Sequence, residues 1–346
     1  MLALLGGRRR VEIPDWSARP WRLLFIRDDG IGDLMLTMEV MRAITERWPA
    51  VTLDVLASPG NAAFARTLPF VNEVIVHRRG FLLSAWPTWR RLRANRYDVV
   101  IDGRVGIANV NKQTTMLLLS TGAPIRIGLA GRRNDRVYSV PVRLDRFAHW
   151  VDAHVALAGP LGIAPTERDW QPRLSVPGTD ASRAGELWAQ AGAGRPRVLV
   201  NPWSASADRQ WPVERFAPVI RRVRERLPSS AVLVPTMPGG SPGAAALARE
   251  TGAAALPLTL AEVTAVTAAA DLVISPDTAV TVVASAFRVP VIALMRRGTE
   301  AWVPYRNDGA VAFSDDARSL GGLPVERVVA AVDGVIDTLG PARGWT

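Results

Sequence analysis

Three short segments of the chain carry residue types that could bind an anion or move a proton. The first, Gly30-Ile31-Gly32-Asp33, lies between an apolar run and a helical pattern. Glycines at such a junction let the backbone approach a ligand, and the N-terminus of the following helix attracts negative charge. Asp33 could act there as a general base on a substrate hydroxyl. It could equally be a first-turn aspartate that complements the helix dipole.

The second segment, residues 201–206, follows another apolar run and contains Ser204 and Ser206, with Arg209 close behind. Small hydroxyl side chains in a loop at a strand end can bind a phosphate, and a guanidinium group can neutralise its charge. Serine-rich loops are also ordinary turns. The pattern alone therefore leaves a phosphate site and a plain turn as alternatives.

In the third segment, an apolar run from Leu272 leads into Asp277, Thr278 and Ala279. Asp277 or Thr278 would cap the helix that starts there. The free N–H groups of the same helix start would also attract a nucleotide diphosphate or a ribose. The capping role and the binding role are compatible.

Composition excludes several kinds of chemistry. The chain has 346 residues and no cysteine, so disulfides, thiolate metal sites and thiol nucleophiles are ruled out. Its three histidines, His77, His149 and His154, show no metal-ligand spacing, and we expect no bound metal ion. With 48% hydrophobic and 21% charged residues, the sequence predicts a soluble folded protein, and its length predicts two domains.

The net charge of +10 is concentrated in the first half of the chain. Residues 1–172 hold 24 Lys and Arg against 16 Asp and Glu, a net charge of +8, whereas residues 173–346 hold 18 against 16. An arginine-rich face suits anionic lipid headgroups or phosphorylated sugars, although it can also be an ordinary solvated surface. No motif interleaves basic and aromatic residues, so we expect no nucleic-acid partner.

Targeting patterns are absent from the sequence. The apolar residues 1–7 precede Arg8, Arg9 and Arg10, which is the reverse of the order in a secretory signal. The longest apolar runs are well short of the ~20 residues that span a bilayer. We expect a cytoplasmic protein that can contact the inner face of the inner membrane peripherally.

The three segments are positioned by alternating strand and helix patterns, which predict parallel sheets with helices on both faces. Such sheets bind ligands at the carboxyl ends of their strands. Proline and glycine interrupt the alternation between residues 163 and 181, where we expect a linker. The predicted organisation is an N-terminal extension, 1–21, followed by two Rossmann-like α/β domains, 22–172 and 173–346. The predicted strands are 22–27, 52–57, 73–77, 98–101, 198–201, 231–235, 272–275 and 291–295. The predicted helices are 34–48, 61–67, 86–95, 182–191, 213–226, 242–251, 260–270, 278–287 and 324–339.

Taken in order, these segments resemble glycosyltransferase family 9, the ADP-heptose:lipopolysaccharide heptosyltransferases, over about residues 22–340. The motifs that carry the resemblance are Gly32-Asp33 with Arg47-Trp48-Pro49, Tyr97-Asp98-Val99-Val100-Ile101-Asp102, Arg126-Ile127-Gly128, the helix from His149 to Gly162, Asn201-Pro202 with Arg209-Gln210-Trp211-Pro212, and Asp277-Thr278 with Val289-Pro290-Val291.

The resemblance implies a GT-B fold, in which two Rossmann-like domains face a cleft, and an inverting transferase that uses no metal ion and no cofactor. Asp33 would deprotonate the acceptor hydroxyl. The donor, a nucleotide-diphosphate sugar that we expect to be ADP-linked heptose or a related sugar, would contact Gly32, Ser204, Ser206, Arg209, Asp277, Thr278 and Ala279. The acceptor would be an acidic lipopolysaccharide or surface glycolipid, which agrees with the basic first half.

Several residues depart from the family pattern. Val282 stands where the family has a histidine, Ala279 replaces a glycine, Arg209 replaces a lysine, and Glu39 replaces a proline. A valine cannot hydrogen-bond a pyrophosphate, and a lost hydrogen bond to a charged group is worth about 1.5–3 kcal/mol. These departures leave an alternative: a non-catalytic binding or scaffold protein with the same fold.

Overall fold

A computed structural model describes residues 14–17, 19–78, 82–104, 112–131, 136–237 and 239–345. The side chains of residues 82–85 and 112–114 fall outside that description. Tertiary contacts divide the chain into two compact units, Met1–Trp170 and Gln171–Thr346. Within the described ranges, no helix is both long enough and apolar enough to cross a membrane.

In its described residues, the first unit contains six strands in the order β3-β2-β1-β4-β5-β6, and every neighbouring pair is parallel. Its strands are β1 (Trp21–Arg27), β2 (Val51–Ala57), β3 (Glu73–Val76), β4 (Val99–Asp102), β5 (Ile125–Leu129) and β6 (Val140–Val142). Its helices are α1 (Ile31–Arg47), α2 (Ala62–Ala65), α3 (Leu82–Ala94), α4 (Lys112–Ser120) and α5 (Trp150–Ala156).

The second unit repeats this topology, with six parallel strands in the order β12-β11-β10-β7-β8-β9. Its strands are β7 (Arg197–Val200), β8 (Ala231–Thr236), β9 (Ala254–Pro257), β10 (Leu272–Pro276), β11 (Val291–Arg296) and β12 (Ala310–Ser314). Its helices are α6 (Gly178–Ala191), α7 (Phe216–Arg226), α8 (Pro242–Thr251), α9 (Leu260–Ala268), α10 (Ala279–Ala286) and α11 (Val325–Arg343).

Burial explains why the central strands appear as continuous apolar runs. All residues of β8 and β10 are buried, because helices cover both faces of a parallel sheet. In the second unit one face carries a core around Trp211 and Phe216, whose rings meet edge to face at 4.7 Å, and the other face carries a core around Trp188. The chain order reverses between β1 and β4, and again between β7 and β10. At these two switch points a ligand crevice forms in such sheets.

The structure confirms the predicted alternation and adds elements that the sequence pattern missed. Helix α4 and the strands β5, β6, β9 and β12 were not predicted. Short edge strands bury little surface and leave a weak periodic signal; the three residues of β6 are all half-buried and include a proline. The predicted linker is also too long at its end, because Pro177 is the N-cap of α6 and Gly178 is its first residue.

The predicted N-terminal extension overlaps the first sheet. Trp21 begins β1, and Trp16 is buried against it with ring centroids 4.2 Å apart. Both indoles lie in the apolar interior of the first unit. The end of the predicted extension therefore contributes to this core.

Gly128→Ala is expected to destabilise the first unit by about 1–3 kcal/mol through overpacking. A Cβ added in β5 would overlap the ring of Tyr138. That ring is held in place because its hydroxyl donates a 2.9 Å hydrogen bond to Asp102. Urea unfolding followed by circular dichroism would measure the loss.

The matched control is Gly185→Ala in the exposed middle of α6, where no atom lies within 4 Å of the added Cβ. Here alanine is expected to raise the free energy of unfolding by about 0.5–1 kcal/mol, since glycine is a poor helix former. Equal losses in both variants would contradict the packing argument.

Candidate functional site

Asp33 lies in the first turn of α1, at the carboxyl edge of the first sheet. Helix α1 begins at Ile31, so Gly32 lies inside the helix rather than in a turn, which corrects the sequence prediction. Gly30 is the N-cap residue in an extended conformation that any residue can adopt, with φ −74° and ψ 158°. The Asp33 carboxylate accepts the backbone N–H of Gly30 at 3.2 Å. The helix-capping role considered for Asp33 is therefore present in the structure.

Arg27, the last residue of β1, lies directly behind Asp33 and is fully buried. Its Nε is 3.3 Å from a carboxylate oxygen of Asp29, and its Nη2 is 3.4 Å from a carboxylate oxygen of Asp33. Its Nη1 donates a hydrogen bond to the carbonyl oxygen of Gly103. The guanidinium group thus fixes the direction of the Asp33 carboxylate, whose side chain is 30% exposed.

The loop between β1 and α1 is held by two residues that follow β2. The side-chain amide of Asn61 donates to the carbonyl oxygens of Arg27 and Asp29 at 2.8 and 3.2 Å, and Asn61 is fully buried. The hydroxyl of Ser58 donates to the carbonyl oxygen of Asp29 at 2.9 Å. These bonds fix the loop that delivers Asp33.

His154 on α5 is fully buried close to this loop. Burial, together with the positive charge of Arg27 and the proximity of His149, holds the pKa of His154 well below its usual value. The backbone of Gly103, which lies next to the ring, acts in the opposite direction. His154 is therefore a neutral imidazole at physiological pH, and it places no second positive charge beside Arg27.

The end of β4 carries a second charged group on the same edge. Arg104 donates two hydrogen bonds to the Asp102 carboxylate, at 2.7 and 2.9 Å, and its Nη1 lies 3.7 Å from Asp28. The hydroxyl of Tyr138 also donates to Asp102. This edge of the first unit therefore combines two buried or nearly buried arginines with the carboxylates that neutralise them.

In the second unit, the ends of β7 and β10 are joined by a neutral hydrogen-bond network. The side-chain amide of Asn201 donates to the hydroxyls of Ser275 and Thr278 at 2.9 and 3.3 Å, and these hydroxyls lie 3.1 Å apart. Thr278 is the N-cap of α10, where its hydroxyl accepts the N–H of Val280. Ala279 is the first residue of α10, one residue later than the predicted start at Thr278, and Val282 is half-buried one turn later.

Arg209 contacts Asp277 at the end of β10. Its Nη1 donates to the carbonyl oxygen of Asp277 at 3.2 Å and lies 3.6 Å from the carboxylate of the same residue. Residues 68 positions apart are thereby brought together, because both follow parallel strands. The backbone N–H of Ser204 bonds to Gln210 at 3.3 Å, so this serine helps to shape the loop.

Ser206 donates its hydroxyl proton to Asp208, which also forms an ion pair with Arg296 at the end of β11. The expected donor-contacting residues of the second unit therefore lie along one sheet edge, while Gly32 and Asp33 belong to the first unit. Sequence reasoning missed Arg27, His154, Asn61 and Arg296. The available signal for Arg27 and Arg296 was the same, an arginine at the end of an apolar strand.

Among the described residues, no group of three or more His, Asp or Glu side chains is arranged as a metal site. The edge of the first unit offers a carboxylate held in one direction. The edge of the second unit offers a helix N-terminus flanked by hydroxyl and guanidinium groups. A carboxylate beside a substrate hydroxyl can serve as a base, and guanidinium groups bind phosphates.

The sequence matches the model of a known protein family. The model for glycosyltransferase family 9 (heptosyltransferase) matches residues 85–319, which is more than half of the chain. The lipopolysaccharide core heptosyltransferase OpsX of Haemophilus influenzae is 22% identical over 339 residues, 90% of each chain.

Solved structures share the fold. The family 9 glycosyltransferase from Veillonella parvula superposes with a TM-score of 0.71 at 17% identity, covering 93% of this chain and 99% of that one. The heptosyltransferase WaaC of Escherichia coli, solved with ADP-2-deoxy-2-fluoro heptose, gives a TM-score of 0.67 at 18% identity, covering 90% and 99%.

The fold and the family match define a glycosyltransferase built from two α/β units, which confirms the fold class and the enzyme class expected from the sequence. The chain belongs to glycosyltransferase family 9.

The lowered pKa of His154 predicts how the free energy of unfolding depends on pH. Its pKa is lower in the folded chain than in the unfolded chain, so the stability it contributes is complete above about pH 6.5 and is lost as the pH falls. We expect its contribution to the free energy of unfolding to fall by up to about 1.4 kcal/mol per pH unit below that value. Urea unfolding between about pH 7.5 and pH 5.5 would show this slope. His154→Asn should flatten it, and an unchanged slope in the variant would contradict the assignment.

Proposed function

We propose that this glycosyltransferase moves a heptose, or a closely related sugar, from a nucleotide-diphosphate donor to a lipopolysaccharide acceptor, with inversion at the anomeric carbon and without a metal ion. The observation that carries the proposal is the Asp33 carboxylate. It is partly exposed at the switch point of the first sheet, and Arg27 and the N–H of Gly30 hold it in one direction.

The relatives support the substrate classes. OpsX is a lipopolysaccharide core heptosyltransferase, and WaaC was solved with an ADP-linked heptose analogue. We therefore infer an ADP-linked donor and an acidic glycolipid acceptor for this chain. The excess of basic residues in 1–172 suits such an acceptor. Because that acceptor is lipid-linked, we also propose that the protein works in the cytoplasm with peripheral contact to the inner membrane.

In the proposed reaction Asp33 takes the proton of the acceptor hydroxyl. The hydroxyl oxygen forms a bond to the anomeric carbon while the bond from that carbon to the donor phosphate oxygen breaks. The diphosphate leaves with the bonding electron pair. Attack from the face opposite the leaving group inverts the configuration of the anomeric carbon.

The second unit would hold the leaving diphosphate. Arg209 supplies a guanidinium group, Thr278 and Ala279 start α10, and the positive end of its dipole favours an anion. Ser204 and Ser206 would add hydroxyl donors, and Gly32 of the first unit would lie close to the sugar. In this proposal Arg209 and the N-terminus of α10 supply the positive charge that a metal ion supplies in other transferases.

Asp33→Asn is expected to lower the turnover number by about 10²-fold or more, because the amide cannot accept the acceptor proton. The loss of a first-turn carboxylate should cost about 0.5–2 kcal/mol of stability, and the loss of one of the two carboxylates that face buried Arg27 should add to that cost. A transfer assay with ADP-heptose and a lipopolysaccharide core acceptor, run beside thermal unfolding, would separate the two effects.

Asp152→Asn is the matched control, because Asp152 occupies the same third position in α5 and accepts the backbone N–H of His149 at 3.2 Å. It should lose the part of the stability that comes from the first-turn contact, and it should keep its turnover. If both variants retain turnover, Asp33 is only a helix cap and the assignment of the base is wrong.

Calorimetric titration with ADP, UDP, GDP and CDP, without added metal, tests the donor class. ADP should bind preferentially, and Arg209→Ala should weaken its binding about tenfold or more, because the variant loses a charge-assisted contact to phosphate. Arg221→Ala, which removes an exposed arginine paired with Glu250, is the control. If none of the four nucleotides binds, Val282 and Ala279 mark a disabled donor site, and the chain would be a non-catalytic member of its family.

A further inference from the structure

The ion pair between Asp208 and Arg296 crosses the carboxyl edge of the second sheet. Asp208 lies in the 3-10 turn Ala207–Arg209 that follows β7, whereas Arg296 is the last residue of β11. Strand β10 lies between β7 and β11 in the sheet. The pair therefore bridges the end of β10, where the chain enters Asp277 and the N-terminus of α10.

The Asp208 carboxylate gathers groups that bind anions. One oxygen accepts the hydroxyl of Ser206, and the other accepts Nη1 of Arg296. The pKa of Asp208 is held below its usual value, first by the Ser206 hydrogen bond and then by the positive charges of Arg296 and Arg209. An acidic side chain of the protein thus occupies a position where the Ser206 hydroxyl and the Arg296 guanidinium converge, close to the charge of Arg209.

The backbone around this ion pair is fixed by other bonds. The carbonyl oxygen of Arg296 accepts the N–H and the hydroxyl of Thr299, at 3.2 and 2.6 Å, and the carbonyl oxygen of Asp208 accepts the N–H of Leu320 at 3.0 Å. The side chains of Asp208 and Arg296 are 38% and 21% exposed. They can separate by rotation of the side chains while strand and turn stay in place.

A diphosphate needs more positive charge than Arg209 supplies. Arg209 is already engaged with the Asp277 carbonyl, and Val282 on α10 has no polar group to offer. Arg296 ends the strand that pairs with β10 and so lies near the start of α10: the N–H of Asp277 donates to the carbonyl oxygen of Leu294, two residues before Arg296. One guanidinium group can donate two parallel hydrogen bonds to the oxygens of a phosphate.

We propose that the diphosphate of the donor displaces the Asp208 carboxylate and takes over its hydrogen bonds from Arg296 and Ser206. Arg296 is then a further diphosphate-binding residue. Without bound donor, the Asp208 carboxylate accepts the hydrogen bonds that the diphosphate would accept. This inference rests on the proposed nucleotide-sugar site. It adds an anion of the chain itself, Asp208, that competes with the donor, so its removal should raise the affinity for ADP.

Calorimetric titration of the full chain with ADP tests the exchange. Asp208→Asn should bind ADP about three- to tenfold more tightly, because the competing charge is gone, whereas Arg296→Met should bind about tenfold more weakly. Arg296→Lys, which keeps the charge but not the planar fork, should lie between wild type and Arg296→Met. Adenosine, which has no phosphate, should bind wild type and Asp208→Asn equally.

Asp315→Asn is the matched control, because Asp315 pairs with the neighbouring Arg297 and with Arg327 on the exposed side of β12. Its affinity for ADP should stay within about twofold of wild type. If Asp208→Asn binds ADP no more tightly than wild type, Asp208 merely supports Arg296 and the exchange is wrong, even though the donor site stands. If wild type binds no ADP, the proposed donor site is wrong, and the proposed exchange is wrong with it.

Discussion

A buried positive charge governs the geometry of the first unit. The guanidinium of Arg27 has no access to solvent, and an uncompensated charge in that position would cost several kcal/mol. The chain compensates it by turning Asp29 and Asp33 back towards the end of β1 and by directing the Gly103 carbonyl at it. The path of the β1–α1 loop is therefore set by charge neutralisation together with the hydrogen bonds of Asn61 and Ser58, while its one glycine, Gly30, has a conformation open to any residue. The neutral state of His154 belongs to the same balance, because a second cation there would repel the first.

The second unit uses the same topology but neutral chemistry at its switch point. Asn201 ties β7 to β10 through the hydroxyls of Ser275 and Thr278, with no buried charge involved. The charged side chains lie outside this network: Asp208 and Arg209 in the turn after β7, and Arg296 at the end of β11. The first unit thus offers a carboxylate at its edge, and the second offers guanidinium groups beside a helix start. The proposed acceptor activation and diphosphate binding would use this division of charge.

Much of the architecture could be predicted from the sequence because central parallel strands are continuous apolar runs. The contact between Arg209 and Asp277 also follows from that pattern, since both residues come after neighbouring strands. The charged contacts inside the structure could not be predicted in this way. Arg27 and Arg296 each end an apolar run and resemble surface residues, and nothing local shows that Asp33 or Asp208 lies opposite them. Glu39 likewise stands out in the sequence only as a departure from the family, yet it is buried and paired with Arg42 at 3.2 Å and Arg168 at 3.8 Å.

One outer strand of each sheet is poorly suited to pairing with another copy of the chain. In the described order, β6 ends the first sheet and β9 ends the second, with three and four residues respectively. Each contains a proline, Pro141 or Pro257, whose nitrogen has no hydrogen to donate. A strand from another copy of the chain would find a short and interrupted row of donors at these edges. Edge-to-edge pairing, a common route from a parallel sheet to aggregates, is disfavoured there by the sequence itself.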